Sequence, residues 1–164
     1  MKFLADSMLG KLARFLRIFG YNTVYANDLV ELYKVDPVPD HLLIDYAKKN
    51  ERIIITKDYH FYKSYKENSI FLEGEGVYNY LRQLKKENGL SFKFNLKKAR
   101  CSVCNSNLER IVKKDSIKNL VLRDTFNSYN DFYQCSNVLC KKVYWQGSHI
   151  EDIQNKLNRN TESN

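Results

Sequence analysis

The sequence predicts an α/β fold with a parallel sheet, followed by a small module that contains every cysteine of the chain. Strand and helix patterns alternate through the first part of the chain, and the connections are long enough to hold helices, which favours a parallel sheet. The alternation stops near residues 96–100, where the cysteine-containing segment begins. We therefore predict an α/β domain over residues 1–96, a cysteine module over 97–150, and a terminal helix with a frayed tail over 151–164.

The predicted elements follow from hydrophobic spacing and from residues that begin or end regular structure. Apolar residues recur at helical spacing between Leu9 and Phe19, and Gly20 ends that helix. Two prolines make residues 35–39 a loop, after which Asp40 stands where a helix N-cap belongs. Strands are predicted at residues 2–5, 22–26, 52–56 and 70–72, and helices at 9–19, at 40–50, from 77 onward and from 148 onward.

Composition limits the class of protein. The 164 residues carry a net charge of +8, of which +3 lies in residues 1–95 (15 basic, 12 acidic) and +5 in 96–164 (12 basic, 7 acidic). Together with 12 Tyr and 9 Phe, this charge indicates a polyanionic partner, most simply nucleic acid, although charge that serves only solubility is the alternative. No apolar run approaches the roughly 18 residues of a membrane span, and Asp6 comes too early for a secretory signal. We therefore expect a cytoplasmic protein without membrane association.

The four cysteines form two close pairs. Cys101 and Cys104 are in a C-x2-C pattern, Cys135 and Cys140 are in a C-x4-C pattern, and 30 residues separate the pairs. A C-x2-C turn holds one ion with two thiolates, and a second pair completes a tetrahedral Zn²⁺ site with bonds of about 2.3 Å. Four cysteine ligands leave no open position, so the predicted Zn²⁺ is structural and stabilises a module too small to fold alone. Disulfides are the alternative, which a cytosolic location disfavours.

Two acidic residues stand at the ends of predicted strands. Asp6 closes the first strand, and Asp58 lies just past the β-branched run Ile53-Ile54-Ile55-Thr56. Because the carboxyl ends of parallel strands share one edge of a sheet, both carboxylates belong where α/β folds bind ligands. With Asp40 as a third member, they would form an oxygen site for Mg²⁺ or Mn²⁺, ions that promote attack on a phosphodiester.

Each of these acids also has a simpler interpretation. Asp40 could only cap its helix, Asp58 could form a turn, and Asp6 could cap the first helix. Further acidic candidates are Asp28, Asp36 and the mid-helix Asp45.

Basic residues accompany the strand-end acids. Lys11, Arg14 and Arg17 recur at intervals of three in the helix that follows Asp6, so we expect them to share a face that could bind phosphates. Lys57, next to Asp58, is a fourth candidate for substrate binding. A solvated amphipathic face is the alternative explanation for the helix residues.

Four stretches of the sequence carry a resemblance to a known family. They are FLADSMLGKLARFLRIFGY at 3–21, RIIITKD at 52–58, RCSVCN at 100–105 and VYWQGSH at 143–149. In this order and combination, they resemble the PIN-like RNase family of the Mut-seven C-terminal RNase domain type. The resemblance covers nearly the whole chain.

The resemblance implies a PIN-like three-layer α/β/α domain with a zinc ribbon, and cleavage of RNA by carboxylate-bound Mg²⁺ or Mn²⁺. Asp6, Asp40 and Asp58 match the acids of the family, and the four cysteines match its ribbon. The chain departs from the pattern in the C-x4-C spacing of its second pair and in His60, which stands where related chains often have a further acid. His149 lies in a shared motif, but we leave it out of the catalytic set because packing explains it better.

Three functions are compatible with these features. The first is an endoribonuclease in which Asp6, Asp40 and Asp58 hold the catalytic ion and the basic residues steer the RNA backbone. The second is a non-catalytic RNA-binding or ribosome-associated protein, and the third is a zinc-ribbon adaptor for protein partners, which leaves the acids unused. RNA is the expected partner, with tRNA, the ribosome and a homodimer as further candidates.

Overall fold

Four parallel strands form the central sheet in a computed structural model, which describes residues 1–158. The strands are β1 (Lys2–Ala5), β2 (Asn22–Tyr25), β3 (Ile53–Thr56) and β4 (Ser69–Phe71). Their spatial order is β2-β1-β3-β4, so the first strand and the β-branched third strand occupy the centre. Ala5 pairs with both Tyr25 and Ile55, and this register aligns the carboxyl ends of the strands at one edge. The predicted parallel sheet is confirmed.

Helices cover both faces of this sheet. In chain order they are α1 (Gly10–Ile18), α2 (Val30–Tyr33), α3 (Asp40–Lys49), α4 (Tyr59–Ser64), α5 (Val77–Asn88) and α7 (Ser148–Asn158), while α6 (Arg123–Ser128) lies in the cysteine module. No helix among residues 1–158 is long and apolar enough to cross a membrane.

Alternation along β1 divides the apolar residues between two cores, because successive strand residues point to opposite faces. Phe3 and Ala5 pack in a large core with residues of α1 and α5, whereas Leu4 packs in a second core with residues of α3 and with Phe61 of α4. The domain therefore has three layers, with helices on either side of one sheet.

The structure differs from the sequence prediction around three short helices and one cap. α2, α4 and α6 were not predicted, because helices of four to six residues are too short to show a hydrophobic period. Asp40 is the first residue of α3, and Pro39 occupies the N-cap position predicted for Asp40, with its carbonyl accepting from Leu43 N at 3.2 Å. A proline fits this position because its missing N–H is not needed there.

The cysteine module contains a separate antiparallel sheet. Its strands are β5 (Leu108–Arg110), β6 (Tyr133–Cys135) and β7 (Val143–Tyr144), paired in chain order. Ile117, Phe132 and Val143 form a small buried cluster beside it. With so little apolar burial, the module needs further stabilisation from its surroundings or from a metal ion.

The chain returns to the α/β domain after the cysteine module. α7 begins at Ser148 as predicted and packs on α5, and its Ile153 is 2% exposed within the large core. The final helix therefore completes the α/β core. The predicted frayed tail lies, beyond Asn158, outside the described residues.

A buried arginine fastens the module to the domain. Arg17 of α1 is 2% exposed, and its guanidinium donates to the carbonyls of Thr23 (2.8 Å), Ser102 (3.2 Å) and Val103 (2.9 Å) and pairs with Asp28. Asn105 adds a second fastening, since its Oδ1 accepts from Thr23 N at 3.1 Å. The C-x2-C turn is thus held against β2 by hydrogen bonds with a charged donor, which are stronger than neutral ones.

Replacing Arg17 with methionine should destabilise the protein by about 3 kcal/mol or more, because three carbonyls and Asp28 would lose a charged donor in a buried place. Chemical unfolding followed by circular dichroism measures this change. The matched control is Arg14→Met, at an exposed position of the same helix, which should stay within about 0.5 kcal/mol of the unchanged protein. Equal stabilities of the two variants would contradict the fastening role of Arg17.

Candidate functional site

The carboxyl edge of the sheet brings Asp6 and Asp58 to neighbouring strand ends. Asp6 follows β1, its backbone N–H donates to Ile55 O at 3.0 Å, and its side chain is buried, with the residue 7% exposed. Asp58 follows β3 by two residues and is exposed. β1 and β3 are adjacent, so the two acids meet at the centre of the edge.

Thr56 connects these two acids. Its hydroxyl donates to Asp6 Oδ2 at 2.6 Å and accepts from the backbone N–H of Asp58 at 2.9 Å. Since Thr56 is fully buried at the end of β3, this bridge fixes both residues relative to the sheet. Sequence reasoning missed Thr56, although a hydroxyl residue between a buried strand and an acid was a visible signal.

Both acids also cap short helices, which the simpler interpretation expected of Asp6, whereas Asp58 was expected to form a turn. Asp6 Oδ1 accepts from Ser7 N at 2.6 Å at the start of a 3₁₀ turn. Asp58 Oδ1 accepts from His60 N at 2.7 Å and from Phe61 N at 3.0 Å, at the start of α4. Capping orients a carboxylate without neutralising its charge, so it does not prevent the same residue from binding a cation.

Asp40 completes the acidic group electrostatically. Burial of its carboxyl, followed by repulsion from Asp6 and then from Asp58, raises the pKa of Asp40 above its usual value, and His41 opposes the rise. Asp6 and Asp58 are therefore close enough to Asp40 to repel its carboxylate. A bound divalent cation would relieve that repulsion, and carboxylate oxygens are the ligands that Mg²⁺ and Mn²⁺ prefer.

The acidic group is more open than the cysteine group. Within residues 1–158, the only set of three or more potential ligand atoms that all lie within 4.8 Å of one another is formed by the four cysteines. The carboxylates lie at one edge of the sheet and influence one another electrostatically, but their oxygens are farther apart than the sulfurs are. This arrangement could hold a cation through carboxylates and water, as Mg²⁺ sites usually do.

The basic residues predicted to bind substrate have different surroundings. Lys11 and Arg14 are exposed on α1. Arg14 also acts on Tyr25: burial and Asp28 raise the pKa of that phenol, and Arg14 opposes the rise. Arg14 therefore lies near Tyr25, at the β2 side of the acidic group.

Arg17 does not share this exposed face, and that prediction is wrong. Its guanidinium is engaged by backbone carbonyls and Asp28, as described above, and is not accessible to a phosphate. The spacing of three was misleading because 3.6 residues per turn rotate the third member toward the core.

Lys57 and Asp28 are already paired with other side chains. Lys57 forms an ion pair with Glu75 and lies 5.6 Å from the ring centroid of Tyr80. Asp28 pairs with Arg17 and accepts from Tyr25 N at 3.0 Å. Asp28 thus supports the fastening of the module and is not turned toward a ligand.

Tyr25 closes the site on the β2 side and was missed by sequence reasoning. Its hydroxyl donates to the carbonyl of Ser7 at 2.7 Å, next to Asp6. This approach depends on Gly10, where an added Cβ would come within 3.0 Å of the Tyr25 ring. A glycine at the start of a helix was the available signal, since it weakens the helix unless close packing requires it.

The four cysteine sulfurs converge at one point between the module and the domain. Cys101 Sγ lies 3.6 Å from Cys140 Sγ, and Cys104 Sγ lies 3.3 Å from Cys135 Sγ. The edge of a tetrahedron with bonds of about 2.3 Å is about 3.8 Å, so these separations suit four thiolates around one ion. All four cysteines are free thiols, with no disulfide among them. The set could bind Zn²⁺.

Tyr144 supports this cluster and was not predicted to do so. Its hydroxyl lies 3.1 Å from Cys101 Sγ and accepts from Ser102 N at 2.9 Å. Burial, and then the contact with Cys101, raises the pKa of Tyr144, so its hydroxyl stays protonated beside the sulfur. Burial also disfavours ionisation of Cys104, but hydrogen bonds, chiefly with Ser106, outweigh it and lower the pKa of Cys104 to about 6.

The side chains of the two histidines considered in the sequence take no part in the hydrogen bonds that link Asp6, Thr56 and Asp58. His60 is exposed on α4 and contributes its backbone N–H to Asp58. His149 helps to line a cavity of about 290 Å³ that also contacts Ile18 and Trp145. That placement, between domain and module, agrees with its exclusion from the catalytic set.

Asp40→Asn should raise the stability of the metal-free protein at pH 7. Because the folded state raises the pKa of Asp40, folding favours the protonated form, and this favourable contribution is lost as pH rises through the folded pKa. An uncharged Asn removes the repulsion, so its melting temperature in EDTA should exceed that of the unchanged protein. The gain should vanish near pH 3, where the carboxyl is protonated in both states.

The matched control for this prediction is Asp45→Asn, an exposed acid on the same helix. It should change the melting temperature much less than Asp40→Asn. A lower melting temperature for Asp40→Asn at pH 7 would contradict the inferred repulsion.

The comparisons with known proteins identify the family. The family model of the Mut7-C RNAse domain matches residues 1–157, which include the acidic group and the four cysteines. Searches of curated proteins and of solved structures gave no significant match. The chain belongs to the Mut7-C RNAse domain family.

Proposed function

We propose that this chain is a metal-dependent endoribonuclease that hydrolyses RNA phosphodiester bonds at the carboxyl edge of its parallel sheet. The observation that carries the proposal is the Thr56 bridge, which holds Asp6 and Asp58 together, near Asp40, at the edge of the sheet where α/β proteins bind ligands. Membership of an RNase-domain family supports the same reaction. The layered sheet is consistent with a PIN-like fold.

Asp6, Asp40 and Asp58 would hold Mg²⁺ or Mn²⁺. When bound, such an ion activates water and stabilises the charge that develops on a phosphodiester. Thr56 and the caps of the two short helices keep Asp6 and Asp58 oriented, so little reorganisation is needed when substrate binds. Asp40 is the acid whose protonation state responds most to the filling of the site.

The RNA backbone would approach over Lys11 and Arg14, which are exposed on the helix that begins beside Asp6. Such contacts bind phosphates without reading bases. Lys57 could join them only by leaving Glu75, which it pairs with at the β4 side. Arg17 has no part in this contact.

Zn²⁺ at the four cysteines would be structural. Sulfur ligands on all four sides leave no place for substrate, and the small apolar cluster of the module indicates a need for metal. The module would present its basic side chains to RNA, since residues 96–164 carry +5 of the net charge.

Non-catalytic RNA binding is the second candidate. The openness of the acidic group favours it, since the carboxylates are not gathered within 4.8 Å as the sulfurs are. A site that never closes around a cation would retain the basic surface but would not hydrolyse RNA.

Incubation of labelled single-stranded and structured RNA with Mn²⁺ or with EDTA distinguishes these functions. Cleavage should require the cation and should fall by about 100-fold or more in Asp6→Asn and in Asp58→Asn, because each substitution removes a charged ligand. Gel analysis of the products gives the rate. Asp45→Asn is the control and should retain activity.

Two outcomes would count against the nuclease. Cleavage that persists in both asparagine variants would place the reaction elsewhere or in a contaminant. Salt-dependent RNA binding without cleavage, at any concentration of Mn²⁺, would establish the non-catalytic alternative.

Tyr144→Phe should weaken Zn²⁺ binding by about 10- to 100-fold, because it removes the hydroxyl beside Cys101. Competition with a chromophoric chelator measures the affinity. Tyr129→Phe is the control, since that ring lies in the same module but packs near Trp145, with centroids 6.4 Å apart. Equal affinities for the two variants would show that the hydroxyl does not support the sulfur.

A further inference from the structure

Three aromatic rings form a cluster beside the acidic group, on the side of β4. The aromatic cluster consists of Tyr59 and Tyr62 of α4 and Phe71, the last residue of β4. The ring centroid of Phe71 lies 5.6 Å from that of Tyr59 and 5.5 Å from that of Tyr62. The Tyr59 and Tyr62 centroids are 6.3 Å apart.

The aromatic cluster is separate from the cores that stabilise the described domain. Neighbouring Phe61 is 2% exposed in the second core, whereas Tyr59 is 54% exposed. Among the Phe, Tyr and Trp residues within 1–158, Tyr59 is the only one that is exposed. Stability of the fold therefore does not explain why a large ring is held in solvent at this position.

The sheet register places this cluster next to the acids. Phe71 pairs with Thr56, the residue that bridges Asp6 and Asp58. Tyr59 directly follows Asp58, which caps the helix that carries both tyrosines. The rings are thus fixed at the carboxyl ends of β3 and β4, and β3 is also the strand that leads to Asp58.

A cation lies beside the exposed ring. Lys63 Nζ lies 5.5 Å from the centroid of Tyr59. α4 has no acidic residue in its first turn and has Lys63 in its last. A cation beside an aromatic ring is the pair of groups that holds a nucleotide, with the base on the ring and the phosphate near the ammonium.

We propose that the aromatic cluster is a stacking platform for an unpaired base of RNA, so that the acidic group receives single-stranded RNA. This inference rests on the proposed function. Stacking on Tyr59 requires a base whose face is free, and bases inside a duplex have both faces covered by their neighbours. The platform would set one nucleotide beside Asp58 while the strand continues across the edge of the sheet toward Arg14.

The test measures equilibrium binding in EDTA, where cleavage does not interfere. Fluorescence anisotropy compares a labelled single-stranded RNA with a blunt duplex of the same length. Tyr59→Leu should weaken single-strand binding by about 10-fold, within the range for loss of one stacked base. Tyr59→Phe keeps the ring and should bind like the unchanged protein, and duplex binding should be the same for all three. Circular dichroism checks that each variant is folded.

A second measurement reports stacking itself. A single-stranded RNA that contains 2-aminopurine should lose fluorescence on binding, and this loss should disappear in Tyr59→Leu but not in Tyr59→Phe. The platform would be overturned if Tyr59→Leu and Tyr59→Phe bound single-stranded RNA equally well. It would also be overturned if Tyr59→Leu lost the same affinity for single-stranded and for duplex RNA. Either result would indicate that the rings serve another partner.

Failure of the platform can be separated from failure of the nuclease. Asp58→Asn should lose cleavage in Mn²⁺ but keep the binding difference between single strand and duplex. Ring-dependent binding without any cleavage would support the platform and reject the nuclease. Cleavage with a KM unchanged by Tyr59→Leu would reject the platform and leave the nuclease intact.

Discussion

The buried guanidinium of Arg17 is the interaction on which the arrangement of the two parts depends. It joins α1, the start of β2 and the C-x2-C turn, and the acceptors in the turn lie 85 and 86 residues away in sequence. A charged group in a protein interior is costly unless every donor finds a partner, so it tolerates few alternative placements of the module. The sulfur cluster and the acidic edge are therefore held in one fixed relation by a residue that belongs to neither.

The acidic edge shows the opposite use of charge. Asp6 and Asp58 are kept near Asp40, whose pKa is raised by burial and then by repulsion from both. Neutral contacts hold Asp6 and Asp58 in place: the Thr56 hydroxyl and the backbone donors of two short helices. Keeping like charges together costs some stability, as often happens where activity requires it.

Local pattern and spacing were enough to predict the parallel sheet, its central strands and the grouping of the four cysteines into one site. The burial of Arg17 could not, because its partners Ser102 and Val103 lie 85 and 86 residues away and offer only backbone carbonyls. The positions of Asp6 and Asp58 could be predicted because both follow the ends of strands. The roles of Thr56 and Tyr144 could not, because they depend on hydroxyl groups whose direction is set by the packed structure. The short helix α4 was missed for lack of a period, and the aromatic cluster was missed with it.

Because α7 packs in the large core, that core can be completed only late in the synthesis of the chain. The acids that face one another all lie in the first 58 residues. The core beneath the sheet includes Ile153, which leaves the ribosome only after the whole cysteine module has been made. The nascent chain therefore carries its acidic residues long before the large core on one face of the sheet can be completed.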